Sequence, residues 1–425
     1  MIPHPYRTVA AAVLAAAAGP ALAQDDVKLS FMLNLNGSED VTFQKLIDAF
    51  EAENPGVEIE MNVVGYDIIR DQLETQLQAG TGPDLARVTN LGGLQPHYVD
   101  LTPHVDAEWW EDRYGAVLPW YRGAAGGEGI YGFHTELTVT GPFVNVTLFE
   151  EAGVEMPGEG STWDDWAEAT RQVMEETGIY AGMVMDRSGH RVAGPAMSYG
   201  AKYYDDDGNL VVDEGFRTMM QKMIDWHEEG LMPPDVWPAV SGGKYQNGNE
   251  MFNNGEVAFH MAGSWATAGV AENVGDQFEW TVVPVPCGPA GCGVMPGGAG
   301  VVAFSDTEHP EVAARFVDFL AQDENAKLLY GETFSIPANS KLQEEGIDYA
   351  EYGASEAVSD ALNTFAAAAA RAAEETPQAY RLQGDPNNFA IFNATAQYVA
   401  AAMNGELTLD EAMVKIEEDI AAQTK

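Results

Sequence analysis

The chain has 425 residues, with 66 acidic against 21 basic side chains and a formal net charge of −45 at pH 7. A polyanion of this size repels nucleic acid and anionic lipid, so neither is expected as a partner. The acids run along the whole chain rather than gathering at one place, which reads as solvated surface suited to saline surroundings rather than a cation trap.

In chain order, Met1 to Arg7 form one of the few basic stretches, and an apolar run from Val9 through a string of alanines closes at Ala21-Leu22-Ala23. A basic start, an apolar middle and an A-x-A end describe a secretory signal peptide cleaved before Gln24. The run is shorter than the roughly 20 apolar residues of a spanning helix. No cysteine follows it to carry a lipid, and a periplasmic location is expected. The rest of the chain exceeds what a single core of at most about 250–300 residues supports, so two lobes are expected.

Lys28 to Leu35 reads as a buried strand, and Phe43, Leu46, Ile47 and Phe50 form an apolar stripe at helical spacing. Asn54-Pro55-Gly56 ends that helix, and Val57, Ile59, Met61 and Val63 then alternate with polar residues as in a strand. A second helix carries Ile69, Leu73 and Leu77 and stops at Gly80. Strand, helix, strand, helix indicates an α/β layer with a parallel sheet, whose ligands bind at the carboxyl ends of the strands, here at Asn34 to Gly37. Further on, helices are expected from Thr162, over Phe216 to Glu229, over Pro310 to Leu320, over Phe389 to Met403 and over Thr408 to Ala422. Asp205 to Asn209 reads as a hairpin turn, and Val301 to Phe304 as a short strand. The two cysteines, Cys287 and Cys292, lie five apart in a Gly/Pro loop and are expected to form a disulfide in an oxidising compartment. No metal site or cofactor is expected.

Four stretches carry a resemblance. They are Phe50 to Val57 with Gln78 to Leu85 and Val99 to Pro103, then Gly129 to Gly132 with Asn145 to Phe149, Glu151 to Val154 and Thr162 to Asp165. Met251 to Phe259 with Gly263-Ser264-Trp265 and the tail Asn404-Gly405 to Met413 complete the set. In this order the chain resembles the family of extracellular solute-binding proteins that includes maltose-binding protein. The resemblance implies an α/β two-lobed clamp with a solute in the cleft, closing by a hinge. By analogy, lobe 1 takes residues 24–135 plus 296–345, and lobe 2 takes 136–295 plus 346–425. It further implies a monomer that captures a mono- or oligosaccharide and delivers it to the permease of an ABC importer, and that is not an enzyme.

A sugar needs aromatic plates for its C–H faces and carboxylates or amides for its hydroxyls. The resemblance places Trp265 at a stacking tryptophan, Phe392 near another aromatic with Phe389 one turn earlier, and His190 near a third. Asn36 and Glu39 follow the first strand, where polar contacts fall. Asn90 aligns with a ligand carboxylate but is an amide, which puts a maltose-specific site in doubt. Glu136 sits where the chain first crosses between lobes, and Gly297-Gly298 precede the return strand, where glycine allows close backbone approach. Tyr66 is a further candidate, and Trp237 stands between core and cleft rim. Tyr203-Tyr204 read as a strand end in preference to an iron site. Two other ligands remain open: a glycerol 3-phosphate-like polyol, drawing on Arg87, Arg191 and Arg381, and a polyamine. An exported carbohydrate-active enzyme is the remote alternative, for which no spaced catalytic motif is found.

Overall fold

The computed structural model describes residues 26–35, 39–123, 126–238 and 247–424, so the expected signal peptide and Asn36 lie outside the described residues. Among the described residues, eight strands occur in the order β1 (Val27–Leu33), β2 (Val57–Val63), β3 (Leu85–Val88), β4 (Gly132–Asn145), β5 (Ala181–Met185), β6 (Val257–Gly263), β7 (Trp280–Val282) and β8 (Pro296–Ala303). They join side by side as β2-β1-β3-β8-β4-β6-β5, with β7 also paired to β4.

The first half is a parallel trio, β1 lying between β2 and β3, extended by β8 running antiparallel to β3. The second half has β5 parallel to β6, with β6 and β7 antiparallel to the end of β4. The long strand β4 belongs to both halves. Its residues from Gly132 to Val139 pair with β8, and those from Thr140 to Asn145 pair with β6 and β7, with the register shifting between His134 and Glu136.

Each half has its own aromatic core. In the first, Phe31 of β1 meets Phe43 and Phe316 edge-on, both at 5.9 Å, between helices Glu39–Glu53 and Pro310–Ala321. In the second, Phe143 of β4 lies 5.6 Å from Phe365, and Phe259 of β6 lies 5.2 Å from Trp166. Full burial of one such side chain contributes about 1.5–3 kcal/mol, which is why the helical stripes face the sheet. Helix starts follow their caps: Thr162 and Asp165, and Thr408 and Glu411, each form a reciprocal capping box. The chain returns to the second half at its end, where helix Asn388–Met403 packs on helices Gly189–Ser198, Glu214–Glu228 and Leu409–Gln423. Among the described residues no helix is long and apolar enough to cross a membrane. Cys287 and Cys292 are joined by a disulfide, in a loop whose Cys287 carbonyl accepts the Trp163 amide.

Three features differ from the sequence expectation. The single helix through Ile69, Leu73 and Leu77 is two, Tyr66–Asp71 and Leu73–Gln78, broken at Gln72 where φ widens to −119°. The return strand begins at Pro296, five residues before Val301. Strand β4 is buried along all fourteen residues. A strand covered on both faces carries no alternation of apolar and polar residues, so no period marks it.

Where β8 passes β4 the backbones close up. A Cβ on Gly298 would lie 2.1 Å from the Glu136 carbonyl oxygen, and its φ is +146°. Gly298→Ala is therefore expected to destabilise the protein by about 1–3 kcal/mol, through crowding and backbone strain together. A fall in the thermal midpoint relative to the unsubstituted protein checks it; an unchanged midpoint would mean the two strands have room to part.

Candidate functional site

The parallel strands of both halves end at one cleft of about 590 Å³, within the range of roughly 300–1,000 Å³ usual for small-molecule sites. The first half supplies Asn34 and Leu35 after β1, Val64 to Tyr66 after β2, and Arg87 and Thr89 around the end of β3. The second half supplies Asp186 to Arg191 after β5 and Trp265 after β6, with Phe389, Phe392 and Asn393 from a C-terminal helix. Glu136 and Thr138 of β4 and Gly298 and Ala299 of β8 form the floor, where the two halves join.

Arg87 anchors that floor and is only 2 % exposed. Its guanidinium donates to the Asn34 carbonyl at 2.9 Å, to Thr135 Oγ1 at 3.1 Å and to Glu136 Oε1 at 2.5 Å. Glu39 Oε1, on the first residue of its helix, stands 3.7 Å from the same guanidinium. Two carboxylates thus share one cation away from water. Burial pushes the Glu136 carboxyl up to about 7; Arg87 opposes the shift and the Glu39 charge adds to it. A neighbouring histidine, His134, has its Nδ1 2.8 Å from the Tyr121 hydroxyl, and burial lowers it to about 3, so it is neutral.

On the opposite wall, Arg191 lies over Trp265, its guanidinium carbon 4.1 Å from the ring centre and its Nε 3.7 Å from Asp186 Oδ2. His190 Nε2–H donates to the Pro296 carbonyl at 3.1 Å, and its ring meets Phe392 edge-on at 5.3 Å. Burial and then the Arg191 charge lower His190 to about 3, so this ring too is neutral. Helix Gly189–Ser198 can approach the C-terminal helix this closely because Gly189 has no side chain; a Cβ there would sit 2.4 Å from the Phe392 carbonyl oxygen.

Of the residues expected to bind, Tyr66, Glu136, His190, Trp265, Gly298, Phe389 and Phe392 line the cleft. Tyr66 is an exposed rim residue whose hydroxyl lies 3.0 Å from Thr89 Oγ1. Glu39 is not on the cleft wall, because the first turn of its helix directs it behind Arg87. Asn90 is not on the wall either: its side chain turns back to accept the Gly93 amide at 3.2 Å. Gly297 lies beneath His190, where a Cβ would meet Nε2 at 3.0 Å, and does not reach the cleft surface. Trp237 is wholly buried, its indole N–H donating to the Met185 carbonyl. Tyr203 is buried with φ at +63°, and Tyr204 donates to Asp385. Arg381 stacks on Tyr204 at 3.6 Å, away from the cleft. Arg87 and Arg191 entered the sequence reading only as partners for a phosphorylated ligand; a lone cation in the apolar run Leu85 to Val88 was the available sign of a buried role.

Residues 36–327 match the family model described as bacterial extracellular solute-binding protein. The arabinooligosaccharide-binding protein of Bacillus subtilis (strain 168) is 26% identical over 321 residues, 71% of this chain and 71% of that protein. The GacH receptor of Streptomyces glaucescens superposes with a TM-score of 0.75 at 19% identity, covering 92% of this chain and 97% of that one. The maltose/maltodextrin-binding domain MalE from Bdellovibrio bacteriovorus, bound to maltotriose, gives 0.75 at 14% identity, covering 94% and 100%. At these identities the superpositions show the fold, a two-lobed one.

The raised Glu136 favours the fold while protonated, so its contribution is complete below 4.5 and is lost as pH rises through about 7. Glu136→Gln removes that titration. The thermal midpoint of the variant is expected to gain on that of the unsubstituted protein between pH 5 and pH 8; parallel pH profiles would mean that Arg87 offsets the burial of Glu136 in full and its carboxyl is not raised. Arg87→Leu leaves two buried carboxylates without their cation and is expected to cost about 3–5 kcal/mol, read from chemical unfolding.

Proposed function

Because the chain belongs to the bacterial extracellular solute-binding proteins, we propose that it captures a mono- or oligosaccharide in the interlobe cleft and hands it to an ABC importer. The observation that carries this reading is the cleft itself. It sets an indole plate, Trp265, beside hydrogen-bonding groups such as Asn34, Thr89 and Gln383, at the ends of strands from both halves. A pyranose needs such a pairing of apolar face and polar rim.

In this reading Trp265 and Phe392 face the sugar rings, Tyr66 closes the rim from the first lobe, Glu136 accepts hydroxyl bonds from the floor, and His190 meets the sugar from the wall of the second. Lobe 1 comprises residues 24–135 plus 296–345, and lobe 2 residues 136–295 plus 346–425. The crossing segments of β4 and β8 serve as the hinge, and contacts made to both lobes by one ligand favour the closed form. The first 23 residues direct export and are removed, the mature chain working outside the inner membrane as a monomer that docks on the permease. The family is one of binding proteins, and the chain turns over no substrate.

Thermal unfolding of the ligand-stripped protein against a sugar panel tests the proposal. A sugar present at about 100 times its Kd is expected to add about 2.7 kcal/mol, a clear rise in midpoint. Trp265→Ala is expected to weaken that sugar by about 1–3 kcal/mol, read by calorimetric titration. No midpoint shift with any saccharide, or catalytic turnover of one, would overturn the reading.

A further inference from the structure

The cleft reverses the charge balance of the chain. Acids outnumber bases 66 to 21 overall, yet among the described residues the lining itself holds Arg70, Arg87, Arg187 and Arg191 beside two acids, Glu136 and Asp186, while Glu39 and Asp71 stand off the lining. Four of the twelve arginines in the sequence therefore converge on one small surface. A neutral sugar needs no such excess, whereas an anion approaching a protein of net charge −45 needs local cations to offset the long-range field.

These four arginines differ in their surroundings. Arg87 is matched by Glu136 and Glu39 in the floor, and Arg70 makes a two-pronged pair with its neighbour Asp71 at 2.7 Å. Arg191 stands 3.7 Å from Asp186, and it and Arg187 flank Ser188, Gly189 and His190 at the start of the ten-residue helix Gly189–Ser198, on the cleft wall itself. The helix N-terminus adds a partial positive charge there, and His190, held neutral by burial, offers no repulsion to it. The Arg187 stem is fixed by a bond from Nε to the Ala396 carbonyl at 3.2 Å. The Arg191 guanidinium carbon stands 4.1 Å from the Trp265 ring centre, which puts a cation and an aromatic plate side by side at one wall of the cleft, and a guanidinium is the side chain suited to a planar carboxylate.

We propose that the cleft selects saccharides carrying a carboxylate, that is, mono- or oligosaccharides of uronic acids. Arg187 and Arg191 hold the acid group while Trp265 takes the adjoining ring face. This selection rests on the sugar-capture reading above and narrows it.

The test uses the ligand-stripped full-length mature chain and calorimetric titration. The probes are mono-, di- and trimers of galacturonate, glucuronate and mannuronate, each paired with its methyl ester, plus maltotriose and galactose 6-phosphate. At least one uronate is expected to bind about tenfold or more tightly than its ester, with affinity falling as NaCl rises. Arg187→Gln and Arg191→Lys are expected to collapse the acid-to-ester ratio; the comparison on the unsubstituted protein stands even if a variant fails to fold. Maltotriose or the esters binding as well as the acids would overturn the acid-sugar proposal and leave sugar capture intact. Binding of galactose 6-phosphate alone would overturn it in favour of a phosphate site. Silence from every saccharide would overturn both readings.

Discussion

Arg87 is the tie on which the cleft depends. A guanidinium only 2 % exposed, within a strand of apolar neighbours, is tolerable only if its donors and its charge are met. The partners come from three segments: the end of β1 through the Asn34 carbonyl, β4 through Thr135 and Glu136, and the first turn of helix Glu39–Glu53 through Glu39. Satisfying this one cation brings the ends of β1 and β3, the interior of β4 and the start of a helix to the same point. That point is the cleft floor, at the place where β4 passes from one half of the sheet to the other.

The same crossing explains the composition around it. Strand β4 must be buried on both faces, and β8 must pass it so closely that Gly298 has no room for a side chain. The neutral histidines fit this dry setting. His134 under the floor and His190 on the wall are each held uncharged by burial, and each has a ring nitrogen within hydrogen-bonding distance of a partner, Tyr121 and the Pro296 carbonyl. The polar groups at the junction are thus fixed in position before any ligand arrives, which keeps the ordering cost of binding small.

The chain keeps two electrostatic regimes apart. Its acids are solvated surface over most of the molecule, while a third of its arginines face one cleft. Surface acids repel non-specific polyanions at long range, and screening over about 8 Å at physiological salt lets a cleft of opposite sign act at contact distance.

Much of the architecture was legible in the sequence because its signals are local. The stripe Phe43 to Phe50, the alternation from Val57 to Val63 and the cap residues Thr162 and Thr408 each specify an element through neighbouring residues alone, and each forms as expected. The aromatic wall was legible through Trp265 and Phe392, whose positions follow from the family resemblance. The partner of each polar group was not. Asn90 and Glu39 both sit near strand ends, yet one side chain turns back on its own loop and the other is drawn behind Arg87. Fourteen buried residues of β4 carried no period, Arg187 carried no local sign of a cleft position, and Arg191 stood out only as one of three arginines suited to a phosphorylated ligand. Periodicity and caps are fixed by the nearest few residues, so the sequence determined them by itself. Which charge faces which, and which faces the cleft, depends on contacts between residues such as Arg87 and Glu136, 49 positions apart, and only the tertiary structure decided those.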